Sequence, residues 1–275
     1  MQFVKPQVFH VAQTTCDNVG IDAYMKAIGV EGWTTDAPSS AERLIEVMGR
    51  GCYRSFAPGL NKNISKIREG SDVYIKNILE SKHGSVLEHA GDSYVFLNVS
   101  RVFTHELVRN RVGNAFSQES LRYVRLDALR CWFPTIFEEL PLGVGDGSLS
   151  PNEMKDQIRA LWVRTFETLE GAQVEMSNLL NLDNLKNFKT KKMLTSAMRR
   201  LAPIGLATMI GYSGNHRSIR WAIQQRTDAA AEEEIRMVFG EVYDEQLRRY
   251  PNLYQDAKVV MVDNLRQISF ENYKI

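Results

Sequence analysis

Between Arg101 and Arg130 the sequence sets six arginines against only Glu106, Glu119 and Asp127. The densest part, Arg109 to Arg125, reads RNRVGNAFSQESLRYVR. Gly113 and Asn114 break the helical pattern after Arg111, and Ser117, Gln118, Ser120 and Arg122 then fall close together. Hydroxyl, amide, backbone N–H and guanidinium donors at that density suit a phosphate, which takes several convergent hydrogen bonds. The stretch contains neither a GxxxxGK[ST] loop nor a GxGxxG turn. A solvated basic loop has the same composition, so both readings stand on these residues alone.

Arg226 poses a second question. On a helix it lies three, four and seven residues after Ile223, Ala222 and Ile219, and so shares their apolar face. A guanidinium aimed at a core needs partners for its fixed fork of donors. An internal ion pair and a ligand-binding arginine fit that spacing equally well. Arg199 and Arg200, just before Leu201-Ala202-Pro203, read by themselves as a solvated helix end. The segment KHGSVLEH, residues 82–89, holds His83, Ser85, Glu88 and His89, but their spacing matches no metal motif and no metal is expected.

The whole chain bounds these possibilities. Its 34 basic and 33 acidic residues leave a net charge of +1, against the large basic excess of a general nucleic-acid binder. The 3 cysteines are widely spaced with no CxxC pair, which points to reduced thiols rather than a disulfide framework. The first residues lack a signal-peptide apolar core, and no apolar run is long enough to span a bilayer. A cytoplasmic protein without membrane or nucleic-acid partners is the expectation.

The elements that must position these residues are legible in part. Residues 1–40 read as strand and loop. SSAERLIEVM predicts a helix capped by Ser39 or Ser40, with Leu44, Ile45 and Met48 on one face. SDVYIKNILESK predicts another, striped by Val73, Ile75, Ile78 and Leu79. DSYVFLNVS reads as a strand covered on both faces, and Ser100 caps a short helix that delivers Arg109. Ser150, Pro151 and Glu153 spell a capping box before a helix carrying Met154, Ile158, Leu161, Trp162, Thr165 and Leu169. LATMIGYS reads as a strand and Asn215 as the cap of HRSIRWAIQQR. Glu232 to Glu234 open a last helix with Ile235, Val238, Phe239 and Val242 on its face. The pattern is α+β, a helix-rich single domain over 1–275 around a small, mostly antiparallel sheet. PLGVGDGSLS is the best candidate for a subdomain boundary within it.

These residues resemble the flavin-dependent thymidylate synthases. Arg109 and Arg111, eight intervening residues and Ser120 look like that family's Arg-His-Arg…Ser signature, and Ser120-Leu121-Arg122-Tyr123 fits its Ser-x-Arg-Tyr ending. HGSVLEH is similar to the family's His-x-Ser/Thr-Pro-Leu-Glu-His segment, with Val86 in place of proline. MRRLAP and NHRSIRWAIQQR resemble its Arg-x-x-x-Pro segment and its Asn-x-Arg-Ser helix. The resemblance runs over roughly residues 40–245.

It implies an enzyme that reductively methylates dUMP to dTMP, with methylenetetrahydrofolate giving the carbon and NADPH-reduced FAD the hydride. It further implies a homotetramer with shared active sites. By the same resemblance Arg226 binds and activates the pyrimidine, with Ser120 beside it as the second catalytic residue. Arg199, Arg122, Glu119 and Glu106 join them on the nucleotide, and Arg109 and Gln118 are shared between nucleotide and flavin. His83, Ser85, Arg111, Asn215 and Arg217 face the flavin. Asn110 stands where the motif has a flavin-contacting histidine, and Trp221 where a second flavin-contacting asparagine is common. Glu106 stands where glutamine is frequent. No cysteine follows a proline, so the cysteine nucleophile of the unrelated classical synthases has no counterpart here. The alternatives are a non-catalytic flavin- or nucleotide-binding homologue and, less in keeping with the charge balance, a nucleic-acid binder.

Overall fold

Side-chain caps fix where most helices begin. The computed structural model describes residues 1–64 and 66–272. In it, helices α1 (Asn18–Ala27), α2 (Ser40–Tyr53), α5 (Pro151–Leu179), α6 (Phe188–Met198) and α7 (His216–Arg226) start after Asp17, Ser39, Ser150, Asn187 and Asn215. Each of these side chains accepts from a first-turn backbone N–H. The capping box of Ser150 and Glu153 is complete in both directions, with Pro151 at the first helical position. Ser100 caps α4 (Arg101–Leu107), accepting from the Phe103 N–H at 3.1 Å. Helix α3 (Ser71–Glu80) follows Gly70 without such a bond, and α8 (Glu233–Arg249) follows Glu232.

The strands are β1 (Gln2–Phe3), β2 (Gln7–Gln13), β3 (Gly91–Ser100), β4 (Asn114–Gln118), β5 (Arg130–Cys131), β6 (Ala207–Asn215), β7 (Ala257–Val262) and β8 (Leu265–Phe270). Helices and short sheets alternate irregularly, which is the expected α+β pattern. Contacts gather the chain into two units. The first comprises 1–7, 96–108 and 117–210; the second comprises 8–95, 109–116 and 211–275. Residues 141–150, the candidate boundary, lie inside the first unit.

In the first unit β1 pairs with β5 in parallel. Leu126, Leu129, Cys131, Phe166 and Leu206 form a buried cluster there, with Trp162 packed against it. The second unit holds most of the four-stranded sheet, ordered β2-β3-β6-β4. It also holds the β7–β8 hairpin, where Asp263 and Asn264 sit at φ of 52° and 61°. Paired left-handed residues of this kind make a tight two-residue hairpin turn, and Asp and Asn tolerate that region.

The inward faces differ from the apolar pattern in instructive ways. On α2 Ile45 is buried, but Met48 is 38% exposed, and Glu42, Glu46 and Arg50 point inward instead. On α3 Val73 is 48% exposed while Tyr74 joins Ile75, Ile78 and Leu79 inside. Along α5 Leu161 faces outward and the buried residues are Phe166 and Gln173. Residues 1–40 include α1, which the expected strand-and-loop reading missed because Gly20 and polar residues dilute its stripe.

Glu42 gives a pH-dependent consequence. Its buried carboxyl accepts from Ser39 Oγ and from the Asn252 backbone N–H, both at 2.9 Å. Burial still dominates and pushes its pKa from 4.5 up to about 7. Folding therefore favours the protonated form. The linked stability is complete below pH 4.5 and is lost as pH rises through about 7. Glu42→Gln cannot ionise, so its urea-unfolding stability relative to wild type should improve between about pH 5 and about pH 8, by on the order of 2–3 kcal/mol. A difference independent of pH would contradict this account.

Candidate functional site

In the first unit α4 and the end of β4 bring charged groups to one cleft. Arg101, His105, Gln118, Glu119, Ser120, Leu121, Arg199, Arg200, Ala202, Pro203 and Ile204 line a space of about 450 Å³. Arg101 Nη2 donates to the Glu119 carbonyl at 3.0 Å, and Arg101 Nε is buried with no hydrogen-bond partner among the described residues. Burial lowers its pKa, the Glu119 carboxylate offsets that, and the like charge of Arg199 lowers it further. Two guanidinium groups that oppose each other's charge, one of them with an unanswered donor, form a place where an anion relieves both.

The rest of that cleft is held in shape. Gln118 Nε2 donates to Thr104 Oγ1 at 2.8 Å, and Thr104 itself is buried. The Glu119 N–H donates to the Met209 carbonyl at 3.0 Å. Beyond it the chain turns around Ser120, whose carbonyl accepts from the Tyr123 and Val124 N–H groups at 3.0 and 3.1 Å. Glu106 is half-buried on α4. Arg122 is exposed, its guanidinium 6.0 Å from the centre of the Tyr123 ring. Arg199 follows α6 in a short 3₁₀ turn, exposed at the cleft rather than packed.

The second unit holds the other expected residues. Arg226 ends α7, after Ile219, Ala222 and Ile223, which are all fully buried. It is half-buried, and its Nε donates to Asn110 Oδ1 at 2.9 Å, with Nη2 donating to the same oxygen. Asn110 Nδ2 donates in turn to Gln225 Oε1 at 3.2 Å. His83 is half-buried and stacks on Tyr53, with ring centroids 5.5 Å apart. Ser85 is exposed in the 3₁₀ turn after it. Arg109 and Arg111 are exposed, Arg217 is paired with Glu88, and Trp221 is 46% exposed on α7.

A second cleft, of about 610 Å³, opens in this unit beside Gln13, His89, Gly113, Asn114, Gly214 and Asn215. Gly113 sits at φ +74°, and a Cβ there would lie 2.6 Å from Asn215 Nδ2, so only glycine suits the turn. Asn215 Oδ1 accepts from the Ser218 N–H at 2.9 Å, which ties its side chain to the start of α7.

The comparisons bear on this geometry. A sequence model of the family described as Thymidylate synthase complementing protein matches residues 35–252. The flavin-dependent thymidylate synthase of Corynebacterium glutamicum is 29% identical over 244 residues, 88% of this chain and 89% of that protein. The flavin-dependent thymidylate synthase of Mycobacterium marinum is 30% identical over 233 residues, 82% of this chain and 83% of that protein. The chain belongs to the flavin-dependent thymidylate synthase family. Among solved structures, the UMP/dUMP methylase PolB of Streptomyces cacaoi bound with 5-Br UMP superposes with a TM-score of 0.61 at 14% identity, over 93% of this chain and 95% of that one. Thymidylate Synthase X of Helicobacter pylori, solved with FAD and dUMP, gives a TM-score of 0.50 at 19% identity, over 77% and 93%. These likenesses show a shared fold.

For a member of the flavin-dependent thymidylate synthase family, three residues stand out that the motif reading passed over. Arg101 and His105 line the first cleft, and Tyr53 lies against His83. Arg101 carried a signal, as the first of the six clustered arginines, but it opens α4 ahead of the Arg109–Tyr123 motif that drew the assignments. Tyr53 closes α2 some 30 residues before His83, a separation that no local pattern bridges.

Proposed function

We propose that this chain makes dTMP from dUMP by reductive methylation, with methylenetetrahydrofolate as carbon donor and NADPH as the source of reducing power. The observation that carries the reading is the cleft of Arg101, Arg199, Ser120 and Gln118, with the buried, unpartnered Arg101 Nε beside a like-charged neighbour. A nucleotide 5′-phosphate supplies the converging negative charge such a site lacks. Ser120, Gln118 and Arg122 then donate to the nucleotide, and Glu119 and Glu106 border it. Arg226, on its apolar helix face, stabilises negative charge that develops on the pyrimidine.

The second unit's residues fit a flavin dinucleotide. Arg109 and Arg111, both exposed around the glycine turn, suit its pyrophosphate. The His83–Tyr53 pair and the exposed Trp221 indole offer flat surfaces to its rings. Ser85, Asn215 and Arg217 belong to the same group in this reading, with Arg109 and Gln118 shared between flavin and nucleotide. FAD, when bound and reduced, supplies the hydride; the protein's part is to orient and to polarise. A homotetramer with shared sites and a cytoplasmic location complete the proposal. Among the described residues no helix is long and apolar enough to cross a membrane.

The phosphate assignment is testable by titration. Arg101→Ala should weaken dUMP binding by roughly tenfold to a hundredfold, as expected for losing a charge-assisted hydrogen bond. Binding of deoxyuridine, which lacks the phosphate, should be unchanged by the substitution. Calorimetry showing equal losses for both ligands, or none for either, would remove Arg101 from the phosphate site.

A further inference from the structure

We propose that a small cavity in the first unit, next to the turn carrying Ser120, is a second ligand site. It is shaped for a single aromatic ring with an amidine-type pair of N–H donors, and it is coupled to the nucleotide cleft. The coupling rests on the dUMP reading above; the site itself does not. The cavity encloses about 130 Å³ between the chain at 121–127, α5 and the end of α6. Leu121, Val124, Leu126, Leu182 and Met198 supply apolar walls, and Leu126 and Leu182 are buried. An apolar cavity of about 150 Å³ accepts benzene, so one six-membered ring is the size that fits here.

Gln173 sets the polarity of the ligand. It is 4% exposed and lines the cavity, and its Nε2 donates to the Met198 carbonyl at 3.0 Å. A carbonyl only accepts, so the amide's NH₂ is fixed toward Met198 and Oε1 is turned away from it. Among the described residues Oε1 has no hydrogen-bond partner. A buried acceptor without a donor is costly, and a ligand N–H removes that cost.

The charges narrow the choice further. Arg125 Nη1 donates to Ser177 Oγ at 2.9 Å and Nη2 donates to Asp183, so that guanidinium is answered. Asp127 is exposed and lines the same space, without an ion pair among the described residues. A planar amidinium suits a carboxylate and an amide oxygen together, whereas an anionic ring would meet Asp127 as a like charge. Leu121 and Arg199 face both this cavity and the nucleotide cleft. A phosphate on Arg199 offsets the guanidinium's field at the cavity and leaves that of Asp127 unopposed. A cation therefore binds there more tightly when dUMP is present, and dUMP more tightly when the cation is present.

Benzamidine is the probe, titrated into the full chain by calorimetry, with benzoate and benzyl alcohol as controls of similar size. Wild type should bind benzamidine at least about tenfold more tightly than either control. Gln173→Leu should weaken benzamidine by about tenfold or more, as for losing a hydrogen bond to a charged donor, and Asp127→Asn by about threefold to tenfold. Val174 is 40% exposed on α5 and lines the cavity, so Val174→Phe should fill it and abolish binding with the thermal midpoint unchanged. Saturating dUMP should tighten benzamidine by about threefold or more. If Gln173→Leu does not fold, Asp127→Asn and Val174→Phe still decide the matter. No binding of benzamidine, binding no tighter than that of benzoate, or binding that survives Val174→Phe would overturn the site. An affinity unchanged by dUMP, in protein that binds dUMP, would overturn the coupling. Protein that binds benzamidine in this pattern but binds no dUMP would refute the dUMP reading and support the site alone.

Discussion

Replacing Arg226 by alanine should lower kcat by about 10²–10³-fold, the loss typical when a preorganised charge stabiliser is removed. The surroundings explain a figure of that size. Ile219, Ala222 and Ile223 are fully buried on the same side of α7, and charge acts more strongly beside such low-dielectric neighbours than in water. The guanidinium also sits at the C-terminal end of the helix, where the aligned carbonyl dipoles favour a cation. Arg226→Lys should recover only part of the turnover, because an ammonium keeps the charge but cannot reproduce the planar fork that Asn110 holds. Steady-state kinetics at saturating dUMP distinguish the cases. An alanine variant with near-normal kcat would show that Arg226 does not act on the pyrimidine.

The second large effect concerns stability. Arg50→Ala should destabilise the protein by about 3–5 kcal/mol, because it leaves Glu46 as an uncompensated buried charge. Both side chains are buried within the second unit, and Arg50 Nε donates to Glu46 Oε1 at 2.8 Å. The remaining donors are also used: Nη1 bonds the Ser55 carbonyl at 3.0 Å and Nη2 the Arg68 carbonyl at 2.8 Å. The guanidinium lies 4.3 Å from the centre of the Tyr74 ring, a cation–π contact, and Thr35 Oγ1 donates to the other Glu46 oxygen. Denaturant unfolding would measure the loss. The double variant Glu46→Leu with Arg50→Leu should recover part of it, since no buried charge then remains unpaired. A single variant as stable as wild type would mean that the pair is not structural.

The same residues mark what the sequence disclosed and what it withheld. Caps and the capping box are local chemistry, so Ser100, Ser150 and Asn215 marked their helix starts from sequence alone, and the cap of α2 was narrowed to Ser39 or Ser40, of which Ser39 is the one that caps. The α2 face was misjudged because an apolar-stripe reading counts Glu42, Glu46 and Arg50 as solvated, whereas paired polar residues can turn inward. The inward lean of Arg226 was legible from its spacing to Ile219, but its hold on Asn110 was not, since the two lie 116 positions apart. The Arg101 cleft was hidden for the same reason: α4, β4 and the turn after α6 meet only through tertiary packing. The β7–β8 hairpin did carry a local signal in Val262-Asp263-Asn264-Leu265, a polar pair between apolar residues, that the reading passed over.

The most direct test of the account is product analysis with the purified protein, dUMP, methylenetetrahydrofolate and NADPH, in parallel samples with and without FAD. The account predicts dTMP in the sample containing FAD and little or none without it, once co-purifying flavin has been removed. Absence of dTMP in both samples, from protein that binds FAD and dUMP, would contradict the assigned reaction and leave only a retained fold with both ligands.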